Sequence, residues 1–270
     1  MALFGFRRTA PTLAIVAATS VTAFAIQIVS VTDEIAIGKQ AQSEIRRKTP
    51  ELTDATVRAY VSRIGRQLAA HASGAKYPYS FSVANYREIN AFALPGGPIW
   101  VNRGAIQAAG NEAQLAAVLA HEVAHVAERH SAQQLSNAMV TNLGLNLLGA
   151  LLGNSGGAAA ANVAARYVAS GAFLKFSRDD EREADRIGAQ IMARSGWDPR
   201  GMIELLETIR EQEKRDPSSV EVFLSDHPSS SERIARLQQT LRHGKGKRDS
   251  PQFQAMRARL RTLPPARSMK

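Results

Sequence analysis

The 270-residue sequence predicts an α+β fold, mainly helical, with one small sheet. Three observations lead there. Apolar residues recur at helical spacing over most of the chain. One stretch, residues 79–103, switches to the alternation of strands. The segment His121-Glu122-Val123-Ala124-His125 lies inside one of the clearest helical patterns, where residues four apart share a face.

The elements follow in chain order. Arg7 and Arg8 precede a run without charge from Thr9 to Val31, and Ala23-Phe24-Ala25 fits a small-x-small cleavage site. Residues 1–31 therefore read as a signal peptide or an uncleaved signal anchor, and either delivers the rest of the chain outside the cytoplasm. Residues 33–72 read as helical, with Asp54 capping a helix whose buried face is Val57, Tyr60, Val61, Ile64 and Leu68. Tyr79, Phe81 and Val83 alternate as in a strand. Asn90–Leu94 and Ile99–Asn102 flank the turn Pro95-Gly96-Gly97-Pro98, and Pro98 points to a sheet edge.

Residues 112–135 form the next helix, on Leu115, Val118, Leu119, Val123 and Val126. Residues 138–175 are apolar and rich in Gly and Ala, readable as a lid, a packed helix or a membrane contact. A helix spans 178–195. Asp198 caps another, with Pro199 at its first position. Ser229 to Glu232 read as a capping box opening a helix over 230–242. No repeat of solenoid length is present.

Composition narrows the chemistry. There is no cysteine, which excludes disulfides, thiolate metal sites, a cysteine nucleophile and a lipid-modified amino-terminal cysteine. Any metal must sit on His, Asp or Glu. The net charge of +10 lies entirely from Arg233 onward, where Asp249 is the one acid. A body of balanced charge argues against nucleic acid as a partner. Residues 243–270 read as a basic tail, partly disordered and suited to anionic lipid or another acidic partner.

On a helix, His121 and His125 can reach one ion, while Glu122, rotated by about 100°, can stand over a water at the open position. A buried apolar helix carrying three unpaired ionisable groups would be costly, and a metal removes that difficulty. A third ligand is needed. His130 is misplaced for the pattern in which a third histidine follows, since that pattern needs Gly at 128 and His at 131; it reads as a surface residue or a neighbour of a ligand. Glu181 is the better candidate. Asp185 shares its helix face and can support a ligand histidine, whereas Glu183 points away.

Four segments together resemble the M48 family of zinc peptidases, which includes Ste24-type and Oma1-type proteases. They are the HExxH helix, Ser177-Arg178-x-x-Glu181-x-Glu183-Ala184-Asp185, the Asn90-Ala91-Phe92-Ala93-Leu94-Pro95-Gly96-Gly97 hairpin, and His227-Pro228 followed by Arg233-Ile234. The resemblance covers about residues 33–240 and implies a zincin-like (gluzincin) peptidase domain over 32–242. It implies one Zn2+ on His121, His125 and Glu181, with Glu122 as general base and Asp185 supporting a histidine. It places His227 and Arg233 near the scissile carbonyl. Zinc is favoured over manganese or iron by the family and by the imidazoles. The chain lacks the several membrane spans of some members and the carboxy-terminal helical repeats of others, so it resembles a small bacterial periplasmic type.

The expected reaction is zinc-dependent endopeptidase cleavage of unfolded or misassembled proteins, with Glu122 activating a water at the zinc. Ala91, Phe92, Ala93 and Leu94 are the expected edge strand that pairs with extended substrate. Arg233 has a second reading as a structural ion pair with Glu181 or Asp185. His227 has one as a plug that fills the open zinc position. The rival function is a zinc-bound chaperone or adaptor that holds unfolded chains; the intact Glu122 argues against it. Membrane contact through the amino-terminal segment, residues 138–175 or the tail would be accessory.

Overall fold

A computed structural model describes residues 29–141, 168, 175–228, 231–241 and 244–269. The expectations for the leader, for most of 138–175 and for the cap at Ser229–Ser230 lie outside these residues.

Helix α1, Val31–Lys48, opens on a capping box between Ser30 and Asp33. The expected helix over 33–72 is broken at Thr49, which is extended because Pro50 follows it. Helix α2, Ala55–Ala69, starts at the Asp54 cap and buries Val57, Tyr60, Val61, Ile64 and Leu68.

Three strands follow: β1 Ser80–Ala84, β2 Ala91–Ala93 and β3 Pro98–Asn102. Their order is β1-β3-β2, with β1 parallel and β2 antiparallel to β3. Pro98 thus begins the central strand rather than marking an edge. A proline is tolerated at the first residue, where only its missing N–H is lost. Its carbonyl still accepts from the Leu94 N–H at 2.8 Å. Gly96 and Gly97, at φ +73° and +117°, supply the positive angles of the turn.

After helix α3, Arg103–Ala108, comes α4, Glu112–Ala127, in which every residue is buried. A helix apolar on all sides belongs at the centre of a fold, and α4 packs against α2, β2 and two later helices, α6 and α7. These are Arg178–Arg194 (α6) and Gly201–Arg215 (α7). Glycine permits both approaches. A Cβ at Gly188 of α6 would lie 3.2 Å from the Ala120 carbonyl oxygen, and one at Gly201 would lie 2.6 Å from that of Ala113. Asp198 does not cap α7. It binds the Arg200 N–H and guanidinium instead, so the helix starts at Gly201.

The expected helix over 112–135 is two helices. Arg129 takes φ +63°, and α5 begins anew at His130–Thr141. This left-handed angle is uncommon outside Gly, Asn and Asp. Arg129 is held in it by Glu34 (Nε to Oε1, 2.6 Å) and by the Val29 carbonyl, also at 2.6 Å. A 3-10 turn at Pro217–Ser219 and the short helix α8, Glu221–Asp226, lead to His227. Helix α9, Ser231–Thr240, carries Arg233.

The carboxy-terminal segment is not a partly disordered tail over its described residues. Helix α10, Pro251–Thr262, is capped by Ser250 and buries Phe253, Met256 and Leu260 in the main core. Arg103, itself buried, donates to the carbonyls of Leu260 and Pro264 at 2.5 and 2.6 Å. Lys247 pairs with the buried Glu112 at 2.7 Å, and Arg259 with Asp54 at 2.7 Å. Apolar residues spaced three and four apart outweigh the high charge of this segment. No helix among the described residues is long and apolar enough to cross a membrane.

Candidate active site

Four elements converge beneath the sheet edge. Helix α4 contributes His121, Glu122 and His125, α6 contributes Glu181 and Asp185, the turn after α8 contributes His227, and α9 contributes Arg233. All seven are buried. The capping box of Ser177 and Asp180 starts α6 three residues before Glu181, and Gly188 brings the helix close to α4. Together they set Glu181 against both histidines.

One donor atom from each of His121, His125, Glu181 and His227 lies within 4.8 Å of the others. The Nε2 atoms of His121 and His125 are 3.0 Å apart. Glu181 Oε2 is 3.5 Å from His121 Nε2, and Oε1 is 3.4 Å from His125 Nε2. His227 turns Nδ1 toward the same point, 2.8 Å from Glu181 Oε1 and 3.3 Å from His121 Nε2. Three imidazoles and a carboxylate with converging lone pairs are a donor set that zinc accepts. These residues could hold the metal.

The surroundings lock the donors. Asp185 Oδ1 lies 3.2 Å from His121 Nδ1, the arrangement by which a carboxylate orients a ligand histidine. Arg233 binds both Asp185 oxygens at 2.7 Å and places its third nitrogen 2.5 Å from Glu181 Oε2. Of its two sequence readings, the ion pair is the one that the contacts describe. Phe176 stacks on His125 with ring centroids 3.9 Å apart, and Phe223 stacks on His227 at 4.9 Å.

Burial would neutralise the Glu181 carboxyl, but the charges of His227 and His121 hold it well below the usual range. Asp185 is also lowered: burial is opposed by Arg233 and His121. Burial works against a charge on His121, yet Glu181 and Asp185 raise it to about 10. For His125 burial prevails, and its imidazole is pushed well down. Glu122 goes the other way. Burial raises it, and the charges of His227 and His121 offset that only in part. Neither of its oxygens has a well-formed hydrogen bond, and Oε1 is 3.6 Å from His227 Nε2.

Strand β2 pairs with β3 on one side, so Ala91–Ala93 form a sheet edge as expected. The edge is not exposed, however. Ala91, Ala93 and Leu94 are each at 0% accessibility, and β2 lies against α4. Phe92 projects from the other face and stacks on Trp100.

Sequence reasoning did not single out Phe176, Phe223 or Arg129. For Phe176 a signal existed, because it directly precedes the Ser177 cap of the helix that carries Glu181. His130 is buried, not on the surface, with its Nδ1 2.9 Å from that of His125.

A helical core around a small mixed sheet, with an HExxH helix facing a glutamate from the next long helix, defines a zincin-like metallopeptidase domain. The chain belongs to peptidase family M48, whose family description matches residues 55–241. It is 34% identical over 212 residues to the beta-barrel assembly-enhancing protease of Escherichia coli (strain K12), covering 76% of this chain and 43% of that one. It is 33% identical over 191 residues to the mitochondrial metalloendopeptidase OMA1 of Schizosaccharomyces pombe, covering 71% of this chain and 55% of that one. The chain thus spans less than half the length of the bacterial relative.

Proposed function

We propose that this chain is a zinc endopeptidase that acts on unfolded or misassembled proteins outside the cytoplasm, and that it rests in a closed state. The observation that carries the reading is the convergence of His121, His125 and Glu181 beside a buried Glu122. Relatives named as a protease and as metalloendopeptidases support the activity. The uncharged run after Arg7 and Arg8 supports an extracytoplasmic, periplasmic location, with membrane tethering if that run is retained.

His121, His125 and Glu181 would hold the zinc. Bound there, zinc would polarise a peptide carbonyl and lower the pKa of a water at its open position. Glu122, buried beside His121 on the same helix, would take the proton of the attacking water and pass it to the leaving amine. Asp185 keeps His121 oriented. Arg233 holds Glu181 and Asp185 in register, and so acts through the ligands rather than on the carbonyl.

Strand β2 would pair with the backbone of an extended substrate, a mode that gives affinity with little demand on sequence. Two features favour a closed resting state. His227 Nδ1 occupies the fourth position of the donor set. Catalytic zinc sites keep that position for water or substrate, whereas four protein donors close a site. The β2 edge is likewise covered. Opening would withdraw His227 and free the edge together.

Casein cleavage by the zinc-loaded full chain and its variants tests the activity. A chain that binds zinc and cleaves nothing, even after His227 is replaced, would leave the holding function in its place.

A further inference from the structure

His130 is fully enclosed, at 3% accessibility, and the chain bends at a left-handed Arg129 to bring it back onto the metal-site helix. Its Nδ1 lies 2.9 Å from His125 Nδ1. On its far side, Nε2 is 3.5 Å from Glu183 Oε2 and 3.9 Å from Asp180 Oδ1. Its ring centroid is 5.0 Å from that of His125 and 6.3 Å from that of Phe176.

Two facing Nδ1 atoms at this distance need one proton between them. His125 presents Nε2 to the donor set, so as a ligand it gives that lone pair to the metal and carries its proton on Nδ1. That N–H must donate, and His130 Nδ1 must accept. The proton of His130 is then on Nε2, facing two carboxylates. Every polar atom in the chain from Glu183 to the metal site has one assignment.

We infer that His130 is a positioning residue for the metal centre: it accepts the His125 Nδ1–H and is itself fixed by Glu183, which locks the tautomer and ring orientation that His125 needs to bind zinc. The inference rests on the reading of His125 as a metal ligand. It gives the second histidine the kind of support that Asp185 gives the first, through one more imidazole. Glu183, on the far face of α6 from Glu181, acts on the site at one remove. Support of this kind is worth about 10–100-fold in metal affinity.

The test uses the full chain and zinc itself. The tautomers of the zinc-loaded wild type, read by long-range 1H–15N correlation of the histidine rings, should be Nδ1–H for His125 and Nε2–H for His130. Zinc affinity, measured by competition with a chromogenic chelator, should fall about 10–100-fold in His130→Phe, which keeps a ring but cannot accept. It should recover most of that loss in His130→Gln, whose amide oxygen can accept. A proton on His130 Nδ1 overturns the inference, even if His130→Phe fails to fold. So does wild-type affinity in His130→Phe, or equal losses in the two variants. Wild type that binds no zinc overturns the site reading and the inference together. Wild type that binds zinc while His125→Ala binds as well overturns them through the ligand assignment.

Discussion

His227 Nδ1 lies 2.8 Å from Glu181 Oε1, closer than either histidine of the HExxH helix comes to that carboxylate. A residue 46 positions beyond Glu181 thus joins the donor set that those histidines begin.

Replacing His227 with Ala should therefore raise basal casein cleavage by about tenfold, corresponding to a resting open fraction near one in ten. Zinc content should stay at one per chain. Abolished cleavage with zinc retained would assign His227 to transition-state stabilisation instead.

Arg233 is buried and carries two carboxylates at once. Arg233→Ala takes the guanidinium from both and leaves them only the neighbouring imidazoles, and breaking a buried pair in this way costs about 3–5 kcal/mol. Denaturant unfolding and chelator competition should report lost stability and weakened zinc binding together. Arg233→Lys should restore only part of either, since one ammonium cannot match the bidentate contact with Asp185. Unaltered unfolding and zinc binding in Arg233→Ala would refute this account of the residue.

The carboxy-terminal helix should behave as core. Phe253 is fully enclosed beside Tyr60, so Phe253→Ala should cost about 3–5 kcal/mol in urea unfolding. A change below about 0.5 kcal/mol would mean that the segment is a surface extension after all.

Asp54 links stability to pH. Its hydrogen bond from Arg259, then that from the Val57 N–H, holds its carboxyl below the ordinary 3.8. The folded chain therefore binds this proton less readily than the unfolded chain. The contribution is fully present above about 3.8 and is lost as pH falls through the lower folded value. The stability gap between wild type and Asp54→Asn, measured by urea midpoints, should be larger at pH 7 than at pH 3. A gap that does not change would remove Asp54 from the acid response.

The sequence made the chemistry of the site more legible than its posture. Helical spacing alone puts His121 and His125 on one face, and puts Glu181 over Asp185 on the next. What it hides is long-range. The break at Arg129 is enforced by Glu34, 95 residues earlier, with no glycine to announce it. The fold-back of His130 onto His125 follows from that break. The burial of Ala91 and Ala93 arises from packing on α4 rather than from their own strand pattern. In the basic tail the high charge masks the spacing: Phe253, Met256 and Leu260 share a face among six arginines and lysines from Lys247 to Arg267.

The most direct test of the central claim compares casein cleavage by zinc-loaded His227→Ala with that by the same chain also carrying Glu122→Gln. The account predicts cleavage by the first and a loss of at least ~100-fold in the second, with zinc content equal in both. Equal cleavage by both would contradict Glu122 as the base. No cleavage by either, nor by the wild type, with zinc bound in all three, would contradict the peptidase itself.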